Sequence, residues 1–64
     1  MYRNKMKDIR EAQGMQLKEL AEKTGITAGY LCHLEKGTRT NPSLQIMTKI
    51  ANALNRDITE IFFN

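Results

Sequence analysis

Cys32 and His33 are the only cysteine and the only histidine in this chain, and they are adjacent. They invite two chemistries, metal binding and nucleophilic catalysis, and their number and spacing argue against both. A closed zinc site needs four ligands, usually thiolates and imidazoles, and the chain supplies two. Neighbours on a helix diverge by about 100°, so the thiol and the imidazole do not converge as a nucleophile–base pair. No catalytic residue, metal or cofactor is expected. A different cluster follows at once: Lys36, Gly37, Thr38, Arg39, Thr40 and Asn41 form a polar stretch with two cations and no acid. Ten Lys and Arg against seven Asp and Glu give a net charge of +3. That balance is compatible with nucleic acid without requiring it.

The elements that must position these groups are helices. The spacing predicts a first helix over 4–13, with Met6, Ile9 and Ala12 on one side and Gly14 as its stop. A second over 17–24 places Leu17, Leu20, Ala21 and Thr24 on one face at i, i+3, i+4 and i+7. Gly25 supplies the positive φ that ends it. A third runs over 28–36 behind the capping Thr27 and stops at Gly37. Asn41-Pro42-Ser43 announces a fourth, with Leu44, Met47, Ile50, Ala51 and Leu54 on its buried face and Asn55 in the left-handed C-terminal conformation. Asp57 with Glu60 three residues on is a capping-box spacing for a short fifth, whose Ile58, Ile61 and Phe62 close the core. The chain is expected to form one domain over 1–64. Its apolar clusters fall far short of the roughly 20 residues of a membrane span. One cysteine excludes an internal disulfide, and a reduced cytoplasm is the expected location.

Two helices joined by about three residues with Gly at the corner cross steeply, the layout of a helix-turn-helix whose second helix enters the DNA major groove. With Ala28 at zero and about 100° per residue, Leu31 falls near 300° and Leu34 near 240°. The core therefore lies near 270°. The opposite direction holds Gly29 and Lys36, flanked by Cys32 and His33, with Ala28 at the edge. Ala28 and Gly29 offer no side-chain hydrogen bond, but their smallness lets the helix amides approach DNA closely. His33 and Cys32 are the candidates for base edges, Lys36 for phosphate, and so few groups need help from DNA shape.

Leu20-Ala21, Gly25-Ile26-Thr27, Leu31, Leu34-Glu35, Gly37, Asn41-Pro42-Ser43-Leu44, Ile50-Ala51, Leu54 and Ile61-Phe62 together resemble the Cro- and phage-repressor-type helix-turn-helix family, the XRE family. The similarity spans nearly all of 6–62. Tyr30-Leu31 followed by Asn-Pro-Ser is similar to the branch with Gram-positive developmental and mobile-element repressors. The resemblance implies an all-α, lambda-repressor-like bundle of five short helices. It implies a transcriptional regulator, more a repressor than an activator, that binds a palindromic double-stranded operator as a homodimer. Carried over by position, base-facing residues are Ala28, Gly29, Cys32 and His33. Backbone contacts fall at Gln16, Tyr30, Lys36, Thr38, Arg39, Asn41 and Ser43. An ion pair between Arg10 and Glu35 is also implied.

Two departures stand out. Gln16 occupies the position of the usual Ser or Thr cap, so the second helix is expected to start loosely. Ala28-Gly29 replaces a usually polar start of the third helix, which keeps an alternative open: a protein-binding module of the same fold, antitoxin-like or an anti-repressor partner. Such a module would show an apolar patch there. Ile46 and Phe63, the latter left over once Ile61 and Phe62 fill the core, are the expected dimer contacts. No small-molecule ligand is expected.

Overall fold

In the computed structural model, which describes residues 4–38 and 41–63, five helices follow one another: α1 (Met6–Ala12), α2 (Leu17–Thr24), α3 (Ala28–Lys36), α4 (Leu44–Leu54) and α5 (Ile58–Phe62). No strand occurs among the described residues. α2 packs against both α3 and α4, α4 against α5, and α5 against α1. The core between them is Met6, Leu20, Leu31, Leu34, Ile50, Ala51, Leu54, Ile61 and Phe62. Each of the larger aliphatic side chains contributes about 1.5–3 kcal/mol by leaving water.

Local chemistry sets the ends of the helices. Thr27 and Ser43 accept hydrogen bonds from the amides of Tyr30 and Ile46. The Asp57 amide donates to Glu60 Oε1 at 3.0 Å, closing the start of α5. Gly25 and Gly37 end α2 and α3 at φ 73° and 80°, and Asn55 ends α4 at φ 57°. No atom lies within 4 Å of a Cβ built on Gly25. Its glycine answers to backbone conformation, not to crowding.

The expected start of α2 needs correction. Gln16 does not leave it loose, because Glu19 reaches back and accepts from the Gln16 amide at 3.1 Å. A carboxylate in the first turn also suits the helix dipole. α1 is shorter than 4–13, because Asn4 stands outside it as a bracket. The Asn4 side-chain amide donates to Leu34 O at 3.0 Å, and its Oδ1 accepts from Met6 N at 2.9 Å. The inner face of α1 is Met6 and Arg10, one turn apart, with Ile9 half-buried; Ala12 is exposed. Leu44, expected on the buried face of α4, is 67% exposed. Thr48, one turn further on, is exposed too, so the covered strip of α4 begins at Met47 and Ile50.

Arg10 and Glu35 meet inside the bundle. Arg10 Nε donates to Glu35 Oε2 at 2.7 Å and Nη2 to Oε1 at 3.3 Å, with about a tenth or less of either side chain exposed. Arg10 Nη1 donates to Met15 O at 2.7 Å, in the turn before α2. The hydrogen bond to Glu35 raises the guanidinium pKa against the opposing effect of burial, so Arg10 stays charged. Among the described residues no buried side-chain polar atom lacks a partner.

Removing one member of such a pair strands a buried charge. Arg10→Ala or Glu35→Ala should each cost about 3–5 kcal/mol, against a total of about 3–10 kcal/mol for a domain of this size. Replacing both, Arg10→Met with Glu35→Leu, should recover most of the loss. Urea unfolding checks this, and single variants within about 1 kcal/mol of the parent would reject the role given to the pair.

Candidate nucleic-acid interface

α3 has two faces with different tasks. Leu31, Leu34 and Glu35 are buried; Ala28, Gly29, His33 and Lys36 are exposed, and Cys32 and Tyr30 are half-buried. A nine-residue helix cannot turn its outer face without moving its inner one, so the outer groups are held as firmly as the core. Gln16, Asn41 and Ser43 are also exposed, and Asn41 adopts φ 55° before Pro42. Arg39, the second cation of the polar stretch, lies outside the described residues.

The electrostatics of the helix starts are uneven. α1, α2 and α5 carry Asp8, Glu19 and Glu60 in their first turns, whereas α3 and α4 carry no acid there. Their partial positive ends meet no acidic side chain of their own first turn. At α3 the Thr27 side chain caps the Tyr30 amide. The amides of Ala28 and Gly29, in the same turn, have no partner further up the helix. The exposed methyl of Ala28 and the bare Cα of Gly29 leave those amides accessible.

Gly29 is instructive. A Cβ built there meets nothing within 4 Å, and its φ is not among the positive ones. Nothing inside the molecule calls for glycine at this helical position, where it costs about 0.5–1 kcal/mol relative to alanine. An external surface that comes close to the backbone supplies a reason.

At the other end of α3 the chain doubles back. With Gly37 left-handed, the Thr38 amide donates to His33 O at 3.1 Å, and Thr38 Oγ1 lies 2.9 Å from His33 Nδ1. Nothing in the spacing rules pointed to this contact; a polar residue after a helix-ending glycine, five positions beyond a histidine, is the signal that carries it. Among the described residues no three His, Cys, Asp or Glu side chains converge. Among the described residues the large exposed apolar side chains are Leu44 and Phe63, neither of them on α3. Phe63 lines a hollow with Asn41, Pro42 and Met47, while Ile46 is half-buried against the core.

Residues 6–61 match the helix-turn-helix family model HTH_3. The chain is 39% identical over 54 residues to the HTH-type transcriptional regulator SinR of Bacillus subtilis (strain 168), covering 84% of the chain and 49% of SinR. It is 36% identical over 53 residues to SlrR of the same organism, covering 83% of the chain and 35% of SlrR. The chain thus spans about half or less of the length of these two relatives. A crystal structure of SinR, the master regulator for biofilm formation, in complex with DNA superposes with a TM-score of 0.80 at 37% identity, over 84% of this chain and 86% of that one.

Gly29→Ala should raise stability by about 0.5–1 kcal/mol, a melting temperature higher by roughly 2–8 °C. The added methyl should at the same time weaken binding of the molecule that docks on this face. A lower melting temperature would show that the fold itself requires the glycine.

Proposed function

This chain belongs to the HTH_3 helix-turn-helix family, and from that premise we propose that it is a transcriptional regulator that binds double-stranded DNA by inserting α3 into the major groove. The observation that carries this reading is the outer face of α3: exposed Ala28, Gly29, His33 and Lys36 on a helix whose first turn holds no acid. Duplex DNA is the partner whose charge suits those uncompensated helix starts and whose groove admits a helix. That SinR, similar over most of this chain, is seen bound to DNA supports the same assignment.

The roles divide by chemistry. His33 faces base edges with Cys32 beside it, Ala28 offers a methyl to thymine, and Gly29 lets the backbone close in. Lys36 takes phosphate, as do Arg39, Gln16 and Tyr30 at the margins. Ser43 accepts from the Ile46 amide on one oxygen lone pair, and its hydroxyl proton, with Asn41, serves the DNA backbone. Occupying an operator in this way represses the gene behind it. The protein acts in the cytoplasm as a binding protein, with no catalytic step.

Two copies are needed. The longest extent of the domain is 26 Å, less than the roughly 34–36 Å between major-groove sites one turn apart on a DNA face. One copy therefore reads one half-site, and a homodimer reads a palindrome. Phe63, 63% exposed, gains most by burial in the partner copy, and Ile46 on α4, half-buried, is assigned as the second contact.

Binding to a selected duplex should fall steeply with salt, as phosphate contacts release counterions. His33→Ala should weaken the preferred operator more than random DNA. Lys36→Ala should weaken both alike and lower the salt slope by about one. Gel-shift titration at several salt concentrations measures both, and no binding to any duplex at low salt would end this proposal.

A further inference from the structure

Thr38 stands where a hydroxyl could donate to phosphate, but its hydroxyl is turned onto His33. Thr38 Oγ1 lies 2.9 Å from His33 Nδ1 and 3.2 Å from His33 O. Two arrangements of a neutral ring meet these distances: the hydroxyl donates to Nδ1, or Nδ1–H donates to Oγ1 while the hydroxyl donates to His33 O. The carbonyl is already supplied: it accepts from the Thr38 amide at 3.1 Å and from the amide of Gly37. The 3.2 Å separation is also long for an O–H···O bond, which centres near 2.7–2.8 Å. Both features favour the first arrangement, in which the hydroxyl donates to Nδ1 and the ring carries its own proton on Nε2. If the ring is protonated, Nδ1–H donates to Oγ1 instead, and Nε2–H is unchanged. In both states the nitrogen that is free to meet a partner is a donor.

The ring is also held in place. The contact closes a loop through Gly37, whose left-handed conformation brings Thr38 back over the last turn of α3. The Thr38 backbone is anchored by its own amide, so the hydroxyl is a fixed post against which an exposed imidazole is stayed.

We propose that Thr38 is a positioning residue for His33, gripping Nδ1 so that Nε2–H faces outward as a hydrogen-bond donor to the acceptor edge of a base, guanine before the others. The preference follows from the groove. Guanine presents two adjacent acceptors, N7 and O6, to one donor; adenine sets an amino group beside its N7, and cytosine offers an amino donor. This assignment rests on the DNA-binding reading of α3 for its target, but not for the Thr38–His33 pair itself.

Two measurements separate those parts. The first needs no DNA: nitrogen chemical shifts and side-chain couplings of His33 in the free protein, at a pH where the ring is neutral. The parent and Thr38→Ser should show one ring rotamer with the proton on Nε2. Thr38→Val, equal in shape but without the hydroxyl, should show averaged rotamers and a mixture of tautomers. Identical spectra for the parent and Thr38→Val would overturn the positioning role, as would a proton resident on Nδ1 in the parent. The second is selection from a random duplex library. The parent and Thr38→Ser should share a guanine preference of about three- to tenfold at one position per half-site, the range of a single hydrogen bond. Thr38→Val should lose it with an unchanged salt slope. A uniform loss of affinity with the slope reduced by about 0.9 would instead make Thr38 a phosphate ligand and reject the proposal. If the parent selects no duplex, the base-reading half falls along with the DNA-binding reading, and the spectra still decide the pair. The melting temperature of each variant, expected to match the parent for this exposed residue, guards against a folding artefact.

Discussion

The Arg10–Glu35 pair is the constraint on which the placement of the other elements rests. Apolar helices in a bundle can slide and rotate against one another at modest cost, since one methyl group packs much like another. A guanidinium that meets both oxygens of one carboxylate accepts a single arrangement. Here the pair joins the middle of α1 to the end of α3, and a third bond from the same guanidinium holds Met15 O just ahead of α2. One side chain therefore sets α3 relative to α1 and fixes the approach of α2. Those are the coordinates that aim the outer face of α3.

Other polar ties support the same frame. Asn4 accepts from the Met6 amide at the start of α1 and donates to Leu34 O on α3. Gln13 Nε2 donates to Leu54 O at 2.7 Å and joins the end of α1 to the end of α4. Lys5 N donates to Ile61 O at 2.8 Å and fastens the approach to α1 onto α5. With so small a core, these bonds add little net energy each, but each one penalises the alternative dockings in which its group would be buried unpaired. The corner between α2 and α3 is treated likewise: the buried Thr24 hydroxyl donates to Leu20 O and accepts from Ile26 N.

Function and fold share α3 almost residue by residue. The same nine residues give three side chains to the core and leave the opposite face, the one proposed to meet DNA, exposed. A recognition surface on so rigid an element loses little conformational entropy on binding. Its equipment is sparse: one imidazole, one ammonium, one thiol and exposed backbone amides. In the proposed DNA-binding mode, close approach of the backbone at Gly29 and the shape of the bound surface supply much of the selectivity.

The sequence by itself determined the helices, because their signals are local. Periodicity marked α2, α3 and α4, and Thr27, Ser43, Gly25, Gly37, Asn55 and the Asp57–Glu60 spacing marked their ends, since caps act on amides three or four residues away. The outward face of α3 followed from the same 3.6-residue period once Leu31 and Leu34 were taken as inner. Tertiary structure decided what depends on distant partners. Leu44 obeys the period of α4 yet stands in water, because a helix can present an apolar residue beyond the reach of its neighbours and periodicity carries no information on where those neighbours stop. Ala12 was displaced from the inner face by Arg10, which is tolerable there only because Glu35, twenty-five positions on, supplies the opposite charge. Asn4 and Gln13 read as ordinary surface amides until docking brings the carbonyls of Leu34 and Leu54 to them. The grip of Thr38 on His33 lies between the two cases. Its spacing is short, but it closes only because Gly37 turns left-handed at the end of a helix that the rest of the bundle has already fixed.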